Sequence, residues 1–172
     1  MKRIAFIIAF FAAITLNTSA QDVSLFAGTP NTSGYNSSGI TKLSAKFNQP
    51  YGLAVDGNGN IWISEIGGHV IYMITTSDMV YVRAGSYTNT GLVNASGVNA
   101  KFNSPRGLAI GPNNEIYVAD FGNHVIRKIA AFTSLGNAQA VTTYAGSTSG
   151  YSNGSATSAK FNNPSGLAVD NS

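Results

Sequence analysis

The sequence predicts an all-β chain of four-stranded antiparallel sheets stacked side by side. Three observations carry this. A decapeptide occurs three times, as AKFNQPYGLA at 45–54, AKFNSPRGLA at 100–109 and AKFNNPSGLA at 159–168, with eight of ten positions identical. The flanking material repeats in register, 55 residues apart from Ala45 to Ala100 and 59 from Ala100 to Ala159. Each unit breaks into short runs of β-branched and aromatic residues parted by turn residues.

The runs of the first complete unit are 52–55, 61–64, 70–74 and 80–84. GLAVDGNGNIWISE at 52–65 matches GLAIGPNNEIYVAD at 107–120, and GGHVIYMI at 67–74 matches GNHVIRKI at 122–129. VRAG at 82–85 matches TYAG at 143–146, and LFAG at 25–28 is an earlier copy of that piece. Tight turns such as Asp56-Gly57-Asn58-Gly59-Asn60 join the first two runs, so four runs make a meander. In Ile61-Trp62-Ile63 and Ile116-Tyr117-Val118 successive side chains point to opposite faces, yet all are apolar or aromatic. Both faces must be covered. In the third run Arg127 and Lys128 interrupt the apolar pattern, which predicts a wetter strand further out. Sheets buried on both faces and repeated at this period are the blades of a β-propeller.

PRGLAIGPNNEIYVADFGNHVIRKI at 105–129 resembles an NHL repeat, with Asn123-His124-Val125 as the naming triplet. The first copy departs from it with Gly68-His69-Val70. The linker at 150–161 resembles that of exported bacterial NHL proteins. The resemblance implies a propeller of six blades, of which this chain holds about two and a half. Blade units are expected at 45–85 and 100–146, with a partial blade from 159, within a propeller region at 21–172. The segment at 23–28 is expected as an outermost strand and 166–169 as a first strand, parts of a longer protein.

In a meander the loop entering the first strand lies at the same end as the second-to-third turn, here called the top. Phe47, Phe102 and Phe161 are expected to tuck between blades. Pro50, Pro105 and Pro164 fix φ at strand entries. Gly52, Gly107 and Gly166 permit close approach. The two variable positions of the decapeptide, Gln49/Ser104/Asn163 and Tyr51/Arg106/Ser165, read as outward-facing. Tyr51, Arg106 and Phe121 are the candidate binding residues, because Tyr and Arg combine contact area with directed hydrogen bonds. Lys46, Lys101 and Lys160 read as solvated loop positions.

Asp120 and Asn123 are expected to satisfy the amides of their own turn. His69 and His124 stand at equivalent positions of successive blades, near the outer strands, and read as structural hydrogen-bonding groups rather than ligands of one metal. No metal site, cofactor or catalytic constellation is expected: there is no Cys, no G-x-S-x-G and no H-E-x-x-H.

At the N-terminus Lys2 and Arg3, an apolar run from 4 to 16, and the small Thr18 and Ala20 read as a signal peptide over 1–20. The run falls short of the ~20 residues that span a bilayer. Without Lys2 and Arg3 the remaining 8 basic residues of the 10 nearly balance the 7 acidic ones, which argues against nucleic acid. The expected product is secreted, periplasmic or at the cell surface, with no membrane span after signal removal. Its expected role is a non-enzymatic scaffold for a protein or glycan partner. The resemblance leaves open a lyase or lactonase-like enzyme whose catalytic residues lie partly outside this chain.

Overall fold

The computed structural model of the chain describes residues 24–36 and 38–170, and the expected signal peptide lies outside them. Ten strands form two antiparallel sheets. The first joins β1 (Ile40–Thr41), β2 (Pro50–Val55), β3 (Ile61–Glu65), β4 (Val70–Ile74) and β5 (Met79–Ala84), in the order β1-β5-β4-β3-β2. The second joins β6 (Ala95–Ser96), β7 (Pro105–Ile110), β8 (Ile116–Asp120), β9 (Val125–Ile129) and β10 (Ala140–Ala145), in the order β6-β10-β9-β8-β7. No α-helix occurs among the described residues, only three single 3-10 turns. The fold is all-β, and the sheets are two adjacent propeller blades.

Each sheet has five strands where four were expected. The addition is small. The linker before each decapeptide contributes two residues that pair with the outer edge of the fourth strand, as Ile40 with Val80 and Ala95 with Val141. This strap covers an edge that would otherwise stay open. Registers match across the blades: Ala54 pairs Trp62 and Trp62 pairs Met73, while Ala109 pairs Tyr117 and Tyr117 pairs Lys128. Trp62 and Tyr117 therefore occupy equivalent positions.

The main core lies between the blades. Blade 1 contributes Trp62, Ile71, Met73 and Ala84; blade 2 contributes Phe102, Leu108, Ile116 and Val118. Phe102 is fully buried there. The Trp62 indole N–H is not wasted, since it donates to Asp56 Oδ2 at 2.9 Å. Phe47 and Phe161 lie half-buried at the corresponding places, Phe47 edge-on to Tyr72 and Phe161 against Ala119, Ile126 and Ala145.

Three expectations change. Residues 24–28 form no strand. They turn back on the linker, with Gly28 N donating to Lys42 O and Thr29 N to Ala45 O. No described strand lies beside them to complete a ladder, and Leu25 and Phe26 stay exposed. Residues 166–169 likewise carry no strand assignment, although Gly107 N donates to Ser165 O beside β7. The third strand is also drier than predicted. β4 is buried at every position, and Arg127 on β9 has no solvent exposure. Linker carbonyls fold over that guanidinium and replace water as its acceptors.

Candidate functional site

The top of each blade is built from one decapeptide and one second-to-third turn. Ile66 N donates to Gln49 O and Gly67 N to Asn48 O; in blade 2, Gly122 N donates to Asn103 O. A buried carboxylate at the end of the second strand fastens the same loop. Asn48 N donates to Glu65 Oε2 and Asn103 N to Asp120 Oδ1, both at 2.7 Å. Asp120 and Asn123 thus do not cap their own turn, as the sequence had implied. Asp120 Oδ2 accepts from Asn123 Nδ2 at 2.7 Å and from Arg127 Nη1 at 3.1 Å, and Asn123 Nδ2 also reaches Gly91 O at 2.8 Å. The carboxylate points inward to the linker, because a buried charge needs several donors.

The histidines link the blades. His69 Nδ1 accepts from Ser104 N at 3.0 Å, and His124 Nδ1 accepts from Asn163 N at 3.1 Å. Both lie at the top turn rather than beside the outer strands, and both hold left-handed backbone, φ 58° and 59°. Burial lowers the His69 pKa. With Nδ1 as acceptor, the neutral ring carries its proton on Nε2.

Of the two variable positions, the first is not free. Gln49, Ser104 and Asn163 all adopt positive φ, at 59°, 54° and 53°. Two of their amides are the ones that bind histidine. Asn163 Nδ2 also donates to Phe121 O at 3.2 Å. This position turns the chain, and at Ser104 and Asn163 it docks onto the preceding blade and is half-buried rather than outward-facing, whereas Gln49 stays exposed.

The second variable position forms a row. Tyr51 and Arg106 stand near the starts of β2 and β7 and Ser165 at the equivalent place of the third copy, with Tyr51 Oη 3.1 Å from Ser165 Oγ. The Arg106 guanidinium carbon sits 3.4 Å from the Phe121 ring centre and 5.3 Å from that of Tyr51. The structure therefore brings Tyr51, Arg106 and Phe121 together. Tyr51 is about half exposed, at 53%. Arg106 Nε is buried without a hydrogen-bond partner.

Glycines bring the inner strands this close. A Cβ on Gly52 would lie 2.3 Å from Arg106 O, and one on Gly107 2.3 Å from Ser165 O. A Cβ on Gly166 would meet no described atom within 4 Å. Between the blades Ser64 mediates: Gly52 N donates to Ser64 Oγ at 2.8 Å, and Ser64 Oγ donates to Arg106 O. The entry prolines pair with the buried acids, Pro50 with Glu65 and Pro105 with Asp120, while Pro164 lies half-buried by the third copy. Lys101 is half-buried, with its carbonyl accepting from Arg127 Nη1 at 2.8 Å; Lys46 and Lys160 are exposed. No group of three or more His, Cys, Asp or Glu able to hold a metal occurs among the described residues.

Sequence reasoning missed Arg127 and Ser64 as parts of this framework, and also Asn36, which donates from N to Tyr72 Oη at 3.4 Å and accepts at Oδ1 from Lys46 N at 2.5 Å. The one available signal was Arg127 in the apolar run VIRKI, a cation where a core residue belongs. Residues 102–129, spanning the loop at Phe102 through β9, match the NHL repeat. The match is a likeness over that one unit. By register, 47–74 is a second copy of the same unit.

Proteins similar to this chain include "NHL repeat-containing protein 2" of Gallus gallus, 38% identical over 80 residues, covering 46% of this chain and 11% of that protein. A Caenorhabditis elegans protein described as a probable peptidyl-alpha-hydroxyglycine alpha-amidating lyase is 30% identical over 95 residues, covering 55% of this chain and 25% of that one. Among solved structures, an auxiliary nutrient binding protein from Bacteroides ovatus superposes with a TM-score of 0.61 at 23% identity, covering 76% of this chain and 34% of that one. The chain spans a tenth to a quarter of these curated relatives' lengths. The structural likeness is one of fold. No helix among the described residues is long and apolar enough to cross a membrane.

Proposed function

We propose that this NHL propeller acts outside the cytoplasm as a non-enzymatic binding scaffold, and that its top face takes a protein or glycan ligand at Tyr51, Arg106 and Phe121. The carrying observation is the clamped guanidinium: three residues from two blades converge, and two are aromatic. Such side chains dominate binding hot spots. The positions that build the blade repeat almost unchanged, whereas Tyr51, Arg106 and Ser165 differ from copy to copy. A rigid scaffold with a varied rim is how a repeat fold makes a particular surface. The N-terminal signal pattern supports a place outside the cytoplasm.

The test is a glycan array probed with the parent protein and with Tyr51→Ala, Arg106→Ala and Phe121→Ala. Each variant is expected to lose ~2 kcal/mol or more of binding to the ligand retained by the parent. Thermal melting of Tyr51→Ala should stay close to that of the parent, as for an exposed position. Unchanged binding by folded Tyr51→Ala and Arg106→Ala would move the functional surface elsewhere.

A second reading, a lyase, draws on the Caenorhabditis elegans relative. The described residues contribute little to a metal site there, since the Nδ1 atoms of His69 and His124 already accept backbone amides. A chelator is expected to leave the melting temperature unchanged. A fall reversed by added calcium or zinc would favour the enzyme.

A further inference from the structure

The three arginines among the described residues are held in two different ways. Arg83 donates from Nε to Gln139 Oε1 at 3.1 Å, from Nη1 to Leu135 O at 3.3 Å and from Nη2 to Asn137 O at 2.7 Å. Arg127 donates to Lys101 O, Val93 O, Asn94 Oδ1 and Asp120 Oδ2, all within 3.1 Å. Both are staples of the fold. Among the described residues, no atom accepts a hydrogen bond from any nitrogen of the Arg106 guanidinium; its Nε is buried without a partner, as is that of Arg127, whose other two nitrogens are matched. Neither of the ion pairs among the described residues involves it; those are Lys42–Asp78 and Arg127–Asp120.

What holds Arg106 is aromatic. Phe121 lies against the guanidinium at 3.4 Å and Tyr51 stands further off at 5.3 Å. Ring faces attract a cation but offer no acceptor for its N–H groups. The plane is thus oriented while the donors stay unmatched and the charge stays uncompensated. A fixed guanidinium fork is complementary to a planar, two-oxygen anion, which it binds through two parallel hydrogen bonds. Beside it, the Tyr51 and Ser165 hydroxyls lie 3.1 Å apart and can each donate and accept.

We propose that Arg106 is a carboxylate-recognition residue and that the ligand of the top face is an acidic sugar of the uronic type, its carboxylate on Arg106 and its hydroxyls on Tyr51 and Ser165. This rests on the reading that Tyr51, Arg106 and Phe121 face the ligand, and adds the ligand's charge and class. Tyr51 supplies a ring edge and a hydroxyl within one side chain, a surface matched to the mixed apolar and polar faces of a sugar.

The experiment is titration of the exported protein with D-galacturonate, D-galactose and sodium sulfate, followed by NMR shifts or calorimetry. Galacturonate is expected to bind at least tenfold more tightly than galactose. Arg106→Gln should erase that preference, and Arg106→Lys should recover little of it, since an ammonium lacks the planar fork. Circular-dichroism melting of the same samples keeps loss of folding separate from loss of recognition. Equal binding of galacturonate and galactose would overturn the carboxylate assignment while leaving the patch reading intact. Sulfate binding as tight as galacturonate would overturn it as well, because charge alone would then be recognised. Absence of any response to either sugar would overturn the acidic-sugar assignment alone, since the patch reading also admits a protein ligand, whereas a preference that survives in folded Arg106→Gln and in folded Tyr51→Ala would overturn both readings.

Discussion

Glu65 in blade 1 and Asp120 in blade 2 occupy the same place in the repeat, fasten the same loop amide and are both fully buried. Their surroundings differ. Asp120 has Arg127 and Asn123 as donors, and every oxygen is satisfied. Glu65 has Tyr72 where Arg127 stands and Gly68 where Asn123 stands, and its Oε1 has no partner. The longer acid fills the space of the missing amide: a Cβ on Gly68 would meet Glu65 Oε1 at 2.3 Å. The Tyr87 ring fills the rest of that space, 2.6 Å from the same Cβ position, but the cation was not replaced. Burial pushes the Glu65 carboxyl up to about 7, with the Asn48 N–H opposing. Burial also raises Asp120, and the Asn103 and Asn123 donors and the Arg127 charge oppose that. Two blades with one backbone register therefore hold their acids in different charge environments. A repeat preserves space and hydrogen-bond geometry more strictly than charge.

The sharpest way to break the comparison is Arg127→Met. It should cost about 3 to 5 kcal/mol, because it leaves a carboxylate buried without its cation. Tyr72→Phe at the equivalent site should cost ~1 kcal/mol, the value of one neutral hydrogen bond, from Asn36 N to Tyr72 Oη. Urea denaturation of both variants at neutral pH decides this. Similar losses would mean that the two sites are electrostatically alike.

Glu65→Gln probes the other half. The folded-state pKa of Glu65 lies above its ordinary value of 4.5, so the folded chain holds the proton more tightly than the unfolded chain. The stability this provides is complete below about pH 4.5 and is lost as pH rises through 7, by up to about 3 kcal/mol. Urea midpoints of the parent should fall across that window relative to those of Glu65→Gln. Parallel pH profiles would show that Glu65 stays ionised.

His69→Asn sharpens the comparison with the smallest effect. Asn tolerates the left-handed backbone but cannot place the ring nitrogen on Ser104 N. The His69 pKa is lowered, so its contribution is present above the ordinary histidine value and disappears as pH falls through the lowered one. A loss of ~1 kcal/mol at pH 8 should shrink towards zero at pH 4. This slope is opposite to that of Glu65, and a constant loss at both pH values would remove His69 as the interblade link.

Much of the fold was legible because the apolar alternation of Ile61-Trp62-Ile63, the turn at Asp56-Gly57-Asn58-Gly59-Asn60 and the repeat offset all depend on local chemistry. The convergence of Tyr51, Arg106 and Phe121 was legible for the same reason, since the meander's alternation of ends places them at one rim. The short straps β1 and β6 were not, as two residues carry no period. Nor was the burial of Arg127: its acceptors are carbonyls of Lys101 and Val93, and backbone acceptors leave no mark on residue identity. The positive φ of Gln49 and Ser104 was hidden too, because neither residue is a usual left-handed one.

Gly52 and Gly107 act as a spacing gauge for the whole assembly. Each sets the step from one inner strand to the next at a distance that a single methyl group would widen. In a radially stacked fold that step determines how far each blade turns from its neighbour, and so the curvature of the wall and the bore it encloses. The Arg106 carbonyl that sets the gauge belongs to the residue whose guanidinium lies on Phe121. A residue as small as Ala at Gly52 would therefore act as a wedge, shifting the rim residues relative to one another before it disturbed the core beneath them.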